Sequence, residues 1–288
     1  MQIAVLGGGN GSYAAAADLS EQGHDIRLWR RDGAALGLLL ATKSLRLRDA
    51  EGTREVLIAC VTADIGEAVR GAELIVIPTP AFSQHSIAQL IGPHLSDGQV
   101  IFLPPGTFGS FAMMQELRVS GCTAEIIFAE TGTLPYLTRK HGPTEVAITV
   151  RAVRLPTGFF PARHSERGMS VLSKAFPSVH LIEDALSAAL MNGGPIIHPA
   201  LDAFVITPIC PHMLTNRPLV VPDTARVELD FVEVGEQGFL TLDGQIGFQL
   251  EPKDRVVITK SASKVQFVNP PRLTYYEILR SKLRWGER

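Results

Sequence analysis

The chain has 288 residues, 45% hydrophobic and 19% charged, which is enough for two domains of ordinary size and excludes a disordered polymer. With 27 Lys and Arg against 29 Asp and Glu, the formal charge of −2 excludes a broad phosphate-tracking surface, so nucleic acid is not an expected partner. Three widely spaced cysteines (Cys60, Cys122 and Cys210) without a CxxC pair imply neither a disulfide framework nor a metal site, no apolar run is long enough to cross a bilayer, and no leader is expected, which together point to the cytoplasm and away from membranes.

From the N-terminus, QIAVLGGGNGSYAAAADLSEQGHDIRLWRRD predicts a strand, a glycine turn, an alanine-rich helix and a second strand ending near Trp29. Gly7, Gly9 and Ser12 take the three small positions of GxGxxG, with Asn10 and an extra Gly11 between them. The first small residue permits a tight turn, the second lets backbone approach a pyrophosphate, and the third lets the helix pack closely. The helix N-terminus then faces the phosphates. Such a pattern alone is weak, because turns are rich in glycine for their own reasons; the strand before it and the helix after it make it a candidate dinucleotide site.

At the end of the second strand, where an NAD site usually carries an acid for the ribose hydroxyls, stand Arg30 and Arg31. A guanidinium there pairs with a 2′-phosphate, so NADP is favoured over NAD. Asp32 comes one residue late for the ribose and keeps NAD as the alternative; two solvated surface arginines are the plain structural explanation. Further strand-like runs follow at AELIVIPTP, QVIFLPPG, AEIIFAET and TEVAITV, the pattern of a doubly wound sheet. Thr79-Pro80 and Pro104-Pro105-Gly106 close two of them at the end where such sheets bind ligands, which makes Thr79 and Pro80 candidate cofactor contacts as well as ordinary turn residues.

GGGNGSYAAAADL, IVIPTPAFSQHS, LPPGTFGSF, AETGTLPY and SAALMNGGPIIHPAL, in this order over residues 1–201, resemble the opine dehydrogenases of the octopine and nopaline type. The resemblance implies an oxidoreductase acting on a CH–NH bond, joining an amino acid to a 2-oxo acid. It also implies a His-Pro pair on a helix, with His198 as acid/base and Asn192 holding the substrate. That chemistry needs a group titrating near neutrality, as imidazole does. Taken alone, a histidine beside proline at a helix end is as readily a packing or capping residue.

Beyond residue 201 the pattern changes. LDAFVITPICPHMLTNRPLVVP, LTLDGQIGFQLEPKDRVVITKSASKVQFV and YYEILRSKLRWGER resemble the C-terminal part of bacterial NAD kinases, and the two resemblances overlap at residues 193–199. Alternation in RVELDFVEV, GFLTLDGQIGFQL and VVITKS predicts successive antiparallel strands, and LTYYEILRSKLRW a short helix. The kinase resemblance implies a strand at 205–209 and an end by about Ala203 to the helix carrying Asn192, which agrees with Pro208 and Pro211 being unable to continue a helix. Phosphoryl transfer needs a phosphate cradle. The GGDGT-like loop, Asn-acid pair and TGSTAY-like segment implied by the kinase resemblance do not occur, so kinase activity is not expected; Asp243 and Gln245 are remnants of a nucleotide-contacting strand or turn residues of a hairpin. The aspartate that orients the histidine in opine dehydrogenases is missing too, and Asp202 could replace it if a helix ran on through Pro199.

The expected architecture is α/β: a Rossmann-type NADP-binding domain over 1–182, a catalytic helix and junction over 183–201, and a β-rich NAD-kinase-like module over 202–288. The expected function is NADP-dependent opine-type oxidoreduction of a small-molecule substrate, impaired by loss of the helical substrate domain. The alternatives are an inactive dinucleotide-binding chimera and a kinase-like protein that forms homo-oligomers through its C-terminal module.

Overall fold

The computed structural model describes residues 1–106, 108–190, 197, 198, 200–207, 218–232, 238–242, 246–263 and 274–283. The chain forms two compact units, residues 1–193 with 241–248, and residues 194–240 with 249–288.

The first unit runs β1 (Gln2–Leu6), α1 (Asn10–Glu21), β2 (Asp25–Trp29), α2 (Gly37–Thr42), β3 (Ser44–Asp49), β4 (Gly52–Leu57), β5 (Cys60–Thr62), α3 (Ile65–Val69), β6 (Leu74–Val76), α4 (Gln84–Ile91), β7 (Val100–Leu103), α5 (Gly109–Val119), β8 (Ile127–Thr131), β9 (Tyr136–Lys140), β10 (Glu145–Arg151), β11 (Leu155–Phe160), α6 (Ser165–Ala175), β12 (Val179–Leu181) and α7 (Ala185–Leu190). Its main sheet has the order β12-β11-β8-β7-β6-β1-β2-β5. Pairing is parallel from β5 to β8, and β11, itself parallel to β12, runs antiparallel to β8. Side chains alternate between two cores, as a strand period of two requires. Ile3, Val5, Val76 and Phe102 enter the core with α1 and α6, while Ala4, Leu6, Ile75 and Ile101 enter the core with α3, α4 and α5. Both faces are therefore covered, which explains the unbroken apolar runs of β6 and β7. The strand order reverses between β1 and β6, so the crevice beyond their C-terminal ends is where such a sheet takes a ligand.

TEVAITV, expected in this sheet, lies instead in a second one with the order β4-β3-β10-β9. Residues 141–144 alone connect β9 to β10, too short for a parallel crossover, so the two strands pair antiparallel as a hairpin. Leu45, Leu47, Val146 and Ile148 of this second sheet share the core of α1. Sheets on two sides account for the alanine-rich helix: Tyr13, Ala14, Ala15, Ala16, Ala17 and Leu19 are all buried, a composition that suits a helix enclosed all round.

The second unit and the strands continuous with it are β13 (Ala203–Ile206), β14 (Leu219–Pro222), β15 (Val227–Asp230), β16 (Gly238–Leu242), β17 (Ile246–Leu250), β18 (Arg255–Ile258) and α8 (Tyr275–Leu283). They form three two-stranded sheets: β13 with β14 and β15 with β18, both antiparallel, and β16 with β17. The strand-rich character and the terminal helix match the sequence pattern. Pairing is less sequential than expected, because β15 takes β18 and not its neighbour in sequence. The strand expected at 205–209 begins two residues earlier, at Ala203, so no continuous helix crosses the junction; Pro208 and Ile209 lie outside the described residues. Among residues 197, 198, 200–207, 218–232, 238–242, 247–263 and 274–280, none is buried. No helix among the described residues is long and apolar enough to cross a membrane.

Candidate functional site

The glycine turn 7–12 sits at the C-terminal end of β1, where the strand order reverses. Gly7 adopts φ +130°, which favours glycine, and donates its N–H to Trp29 O at 2.8 Å. A Cβ on Gly7 would stand 2.6 Å from Ser12 Oγ and 2.8 Å from Thr79 Cγ2, and one on Gly8 would stand 2.6 Å from Arg30 Cδ. Gly11 is held closely too, its Cβ position lying 3.1 Å from Pro78 Cβ. A Cβ on Gly9 would meet no atom of the described residues within 4 Å, and the residue is exposed, leaving its backbone open to a ligand. It is also the N-cap of α1, whose end no side chain caps and whose first turn holds no acid. That combination leaves backbone donors facing outward with the positive end of the helix dipole behind them.

The other predicted residues divide. Asn10 turns its Oδ1 to the backbone N–H of Lys140 at 2.8 Å, and Ser12 Oγ is buried without a hydrogen-bond partner among the described residues. Arg30 lies along Gly8 and reaches Ala35 O with Nη1 at 3.4 Å, whereas Arg31 is directed to α4, where Nη2 donates to Ser86 Oγ at 2.9 Å. Asp32 accepts the Ala35 N–H at 3.2 Å, the work of a local turn residue. Thr79 Oγ1 stands 2.8 Å from Ser83 Oγ, which also lies 2.7 Å from Pro80 O.

Two residues at this end of the sheet escaped the sequence. Lys140, at the end of β9, brings Nζ to Gly8 O at 3.3 Å and sits 3.9 Å above the Tyr13 ring centroid. Burial, and then the Arg30 guanidinium, lower its pKa to about 8. Burial in turn pushes the Tyr13 phenol up, against the pull of Arg30. Glu130, fully buried at the end of β8, accepts the Ser110 N–H at 2.5 Å and the Phe108 N–H at 3.2 Å at the start of α5. Its pKa is raised by burial, opposed by those donors, and a side chain at Gly106 would collide with it. The basic pair closing LPYLTRK and the acid of AETGTLPY are visible in the sequence, but nothing local marks either as reaching the turn or the loop.

His198 belongs to the other unit and lies in irregular chain, not on a helix. Its Nδ1 accepts the Ala200 N–H at 3.1 Å, which leaves the proton of a neutral ring on Nε2. The ring packs edge-on to Tyr275, centroids 4.8 Å apart, and lies 5.6 Å from Tyr276; Tyr275 Oη donates to Ile197 O at 3.2 Å. Asp202 is not its partner: no helix connects them, and Asp202 lies 3.6 Å from Lys260 Nζ. Asn192, Asp243 and Gln245 lie outside the described residues.

Comparison with known proteins finds different relatives for the two ends of the chain. Residues 2–106 match the family described as the NAD-dependent glycerol-3-phosphate dehydrogenase N-terminus, and residues 188–270 match the ATP-NAD kinase C-terminal domain. The NAD kinase of Geotalea daltonii is 49% identical over 100 residues, and that of Solibacter usitatus 45% over 100; each match covers 35% of this chain and 35% of the kinase. The chain thus spans about a third of the length of the curated relatives it matches. Among solved structures, octopine dehydrogenase with NADH and L-arginine superposes with a TM-score of 0.55 at 21% identity, covering 66% of this chain and 50% of that one. Yersinopine dehydrogenase with NADP+ bound gives 0.51 at 18%, covering 67% and 50%. The fold is a Rossmann-type α/β domain continued by a strand-rich segment. More particularly, an N-terminal part with the fold of octopine dehydrogenase is joined to a C-terminal part similar in sequence to NAD kinases.

Proposed function

We propose that the chain binds a nicotinamide dinucleotide at the turn 7–12, prefers the 2′-phosphorylated form, and descends from an oxidoreductase of opine type acting on a CH–NH bond. The observation that carries the reading is Arg30 laid along Gly8, beside an uncapped helix end and the open backbone of Gly9. The residues fit the cofactor: side chains on Gly7, Gly8 or Gly11 would crowd the cradle, and the donors around it are cationic or backbone N–H. Gly7, Gly9, Asn10, Gly11 and Ser12 would form the pyrophosphate turn. Arg30, with Arg31 beside it, would take the 2′-phosphate, and Thr79 and Pro80 would border the crevice. The bound dinucleotide would supply the redox equivalents. Among the chain's own residues, His198 would manage a proton on a substrate made from an amino acid and a 2-oxo acid, and Asn192 would hold that substrate.

A second reading, a dinucleotide-binding chimera without turnover, is favoured by the pairing of Asp202 with Lys260 and by strands where a helical substrate domain is expected. Exposed apolar strand residues such as Leu219, Val220, Val257 and Ile258 support a homo-oligomer formed through the C-terminal part, and a cytoplasmic site of action suits both readings. Titration by nicotinamide fluorescence tests the first reading: NADPH should bind about tenfold or more tightly than NADH, with Arg30→Asp reversing the order. Equal affinities would remove the argument from Arg30, and binding of neither would remove the site.

A further inference from the structure

We propose that Lys140 is a specificity-determining residue of the dinucleotide site, its ammonium sharing with Arg30 the extra phosphate that marks the 2′-phosphorylated cofactor. The inference rests on the reading of the turn 7–12 as a dinucleotide site, and adds to it a residue carried by a different sheet.

Three contacts bring Lys140 to the turn. Its backbone N–H holds Asn10 Oδ1 at 2.8 Å, its Nζ donates to Gly8 O at 3.3 Å, and the same Nζ stands over the Tyr13 ring. Arg30 approaches the same glycine: a Cβ on Gly8 would lie 2.7 Å from its Nε. Two cations therefore meet at Gly8. Among the described residues neither forms an ion pair with a carboxylate.

The arrangement is unfavourable as pure scaffolding. Half-buried like charges repel, and the depressed pKa of Lys140 records that its charged form is resisted by burial and by Arg30. An aliphatic side chain over Tyr13 would pack without that cost. A dianionic phosphate between the two groups reverses the sign, because it pairs with both and favours the charged form of Lys140. The position suits the extra phosphate: Arg30 follows β2, the strand whose end borders the adenosine ribose in a Rossmann site, and Gly8 is the residue between the two small positions of the turn. A monophosphoryl anion held by both a guanidinium fork and an ammonium is recognised by geometry and by charge.

The test measures binding, not turnover, on the full chain. Affinities for NADPH, NADH, 2′,5′-ADP and 5′-ADP are compared in the unaltered chain, Lys140→Met and Lys140→Arg. Methionine keeps the stem over Tyr13 and removes the charge; arginine keeps the charge. The expected result is a loss of about tenfold or more for NADPH and 2′,5′-ADP in Lys140→Met, less than about twofold for NADH and 5′-ADP, and recovery of most of the preference in Lys140→Arg. Should Lys140→Met lower the thermal midpoint, Lys140→Arg still decides, because a strut to Gly8 alone predicts no dependence on the 2′-phosphate. An equal loss for phosphorylated and unphosphorylated ligands, or no loss at all, overturns the assignment while leaving the dinucleotide site intact. Binding of neither dinucleotide to the unaltered chain overturns both.

Discussion

Arg151 on β10 donates through Nε to Asp18 on α1 at 2.6 Å, and this contact fastens the second sheet to the helix that carries the glycine turn. Tyr136 Oη takes the other carboxylate oxygen at 2.9 Å, and Arg151 Nη2 continues to Asp49 at 2.8 Å. Removing one partner leaves a largely buried acid short of donors. Arg151→Met is therefore expected to cost about 1–3 kcal/mol, toward the low end because the Arg151 side chain is 40% exposed, and Tyr136→Phe about 1 kcal/mol. Urea unfolding measures both. A change below a few tenths of a kcal/mol in each would show that the second sheet is held by its apolar contacts alone.

Asp49 and Glu130 answer to pH in opposite directions. Hydrogen bonds from Arg54, against the penalty of burial and with help from Arg151, hold the Asp49 carboxyl well below the usual range. Its stabilising contribution is present above the unfolded value of about 3.9 and is lost as pH falls through the lower folded value. Arg54→Met should accordingly flatten the loss of stability below pH about 4. Burial raises Glu130, so its contribution is present below the unfolded value of about 4.3 and is lost as pH rises through the folded one. Glu130→Gln should consequently cost less at pH 7 than at pH 4. Parallel pH curves for the variant and the unaltered chain would refute the burial argument.

The first βαβ unit was legible because strand, glycine turn and helix are each marked within a few residues, and local chemistry fixes Gly7 and Gly11 where they stand. The second sheet was not. Its strands β3 and β10 pair across about a hundred positions, and only the short β9–β10 connection reveals that TEVAITV cannot join the main sheet. Lys140 stayed hidden for the same reason: it reaches Gly8 from 132 positions away. At the junction, Pro208 and Pro211 announced that a helix must stop, yet the strand starts at Ala203, ahead of the prolines, where pairing with β14 sets the register.

The described residues from 197 onward give another expectation. None of those in β13, β14, β15 and β18 is buried, and these strands occur as two-stranded pairs, which are marginal by themselves in water. Amide exchange on the full chain should show the strongest protection in β1, β6 and β7 and much weaker protection in β13, β14, β15 and β18. Protection of the two groups at one common level would mean that the C-terminal strands belong to the same cooperative core.

The last prediction concerns turnover. His198 keeps a fixed ring, with Nδ1 on the Ala200 N–H and an edge-on Tyr275, but that N–H offers no negative charge to an imidazolium, and Asp202 is directed to Lys260. Loss of an orienting carboxylate costs about 10⁴ in rate in a Ser-His-Asp triad, and general acid-base help is worth about 10² to 10⁴. Binding should survive better than chemistry. NADPH affinity is expected to be unchanged in His198→Ala, while NADPH consumption with an amino acid plus a 2-oxo acid, already slow, falls by about 10² or more. Phosphorylation of NAD by ATP should be absent, since the sequence has no GGDGT-like loop to hold a triphosphate. Vigorous opine formation that persists in His198→Ala would keep the dehydrogenase ancestry and remove the histidine from it. Formation of NADP from NAD and ATP would overturn the expectation that the chain has no kinase activity. A rate whose pH dependence disappears in His198→Ala would assign the proton transfer to His198.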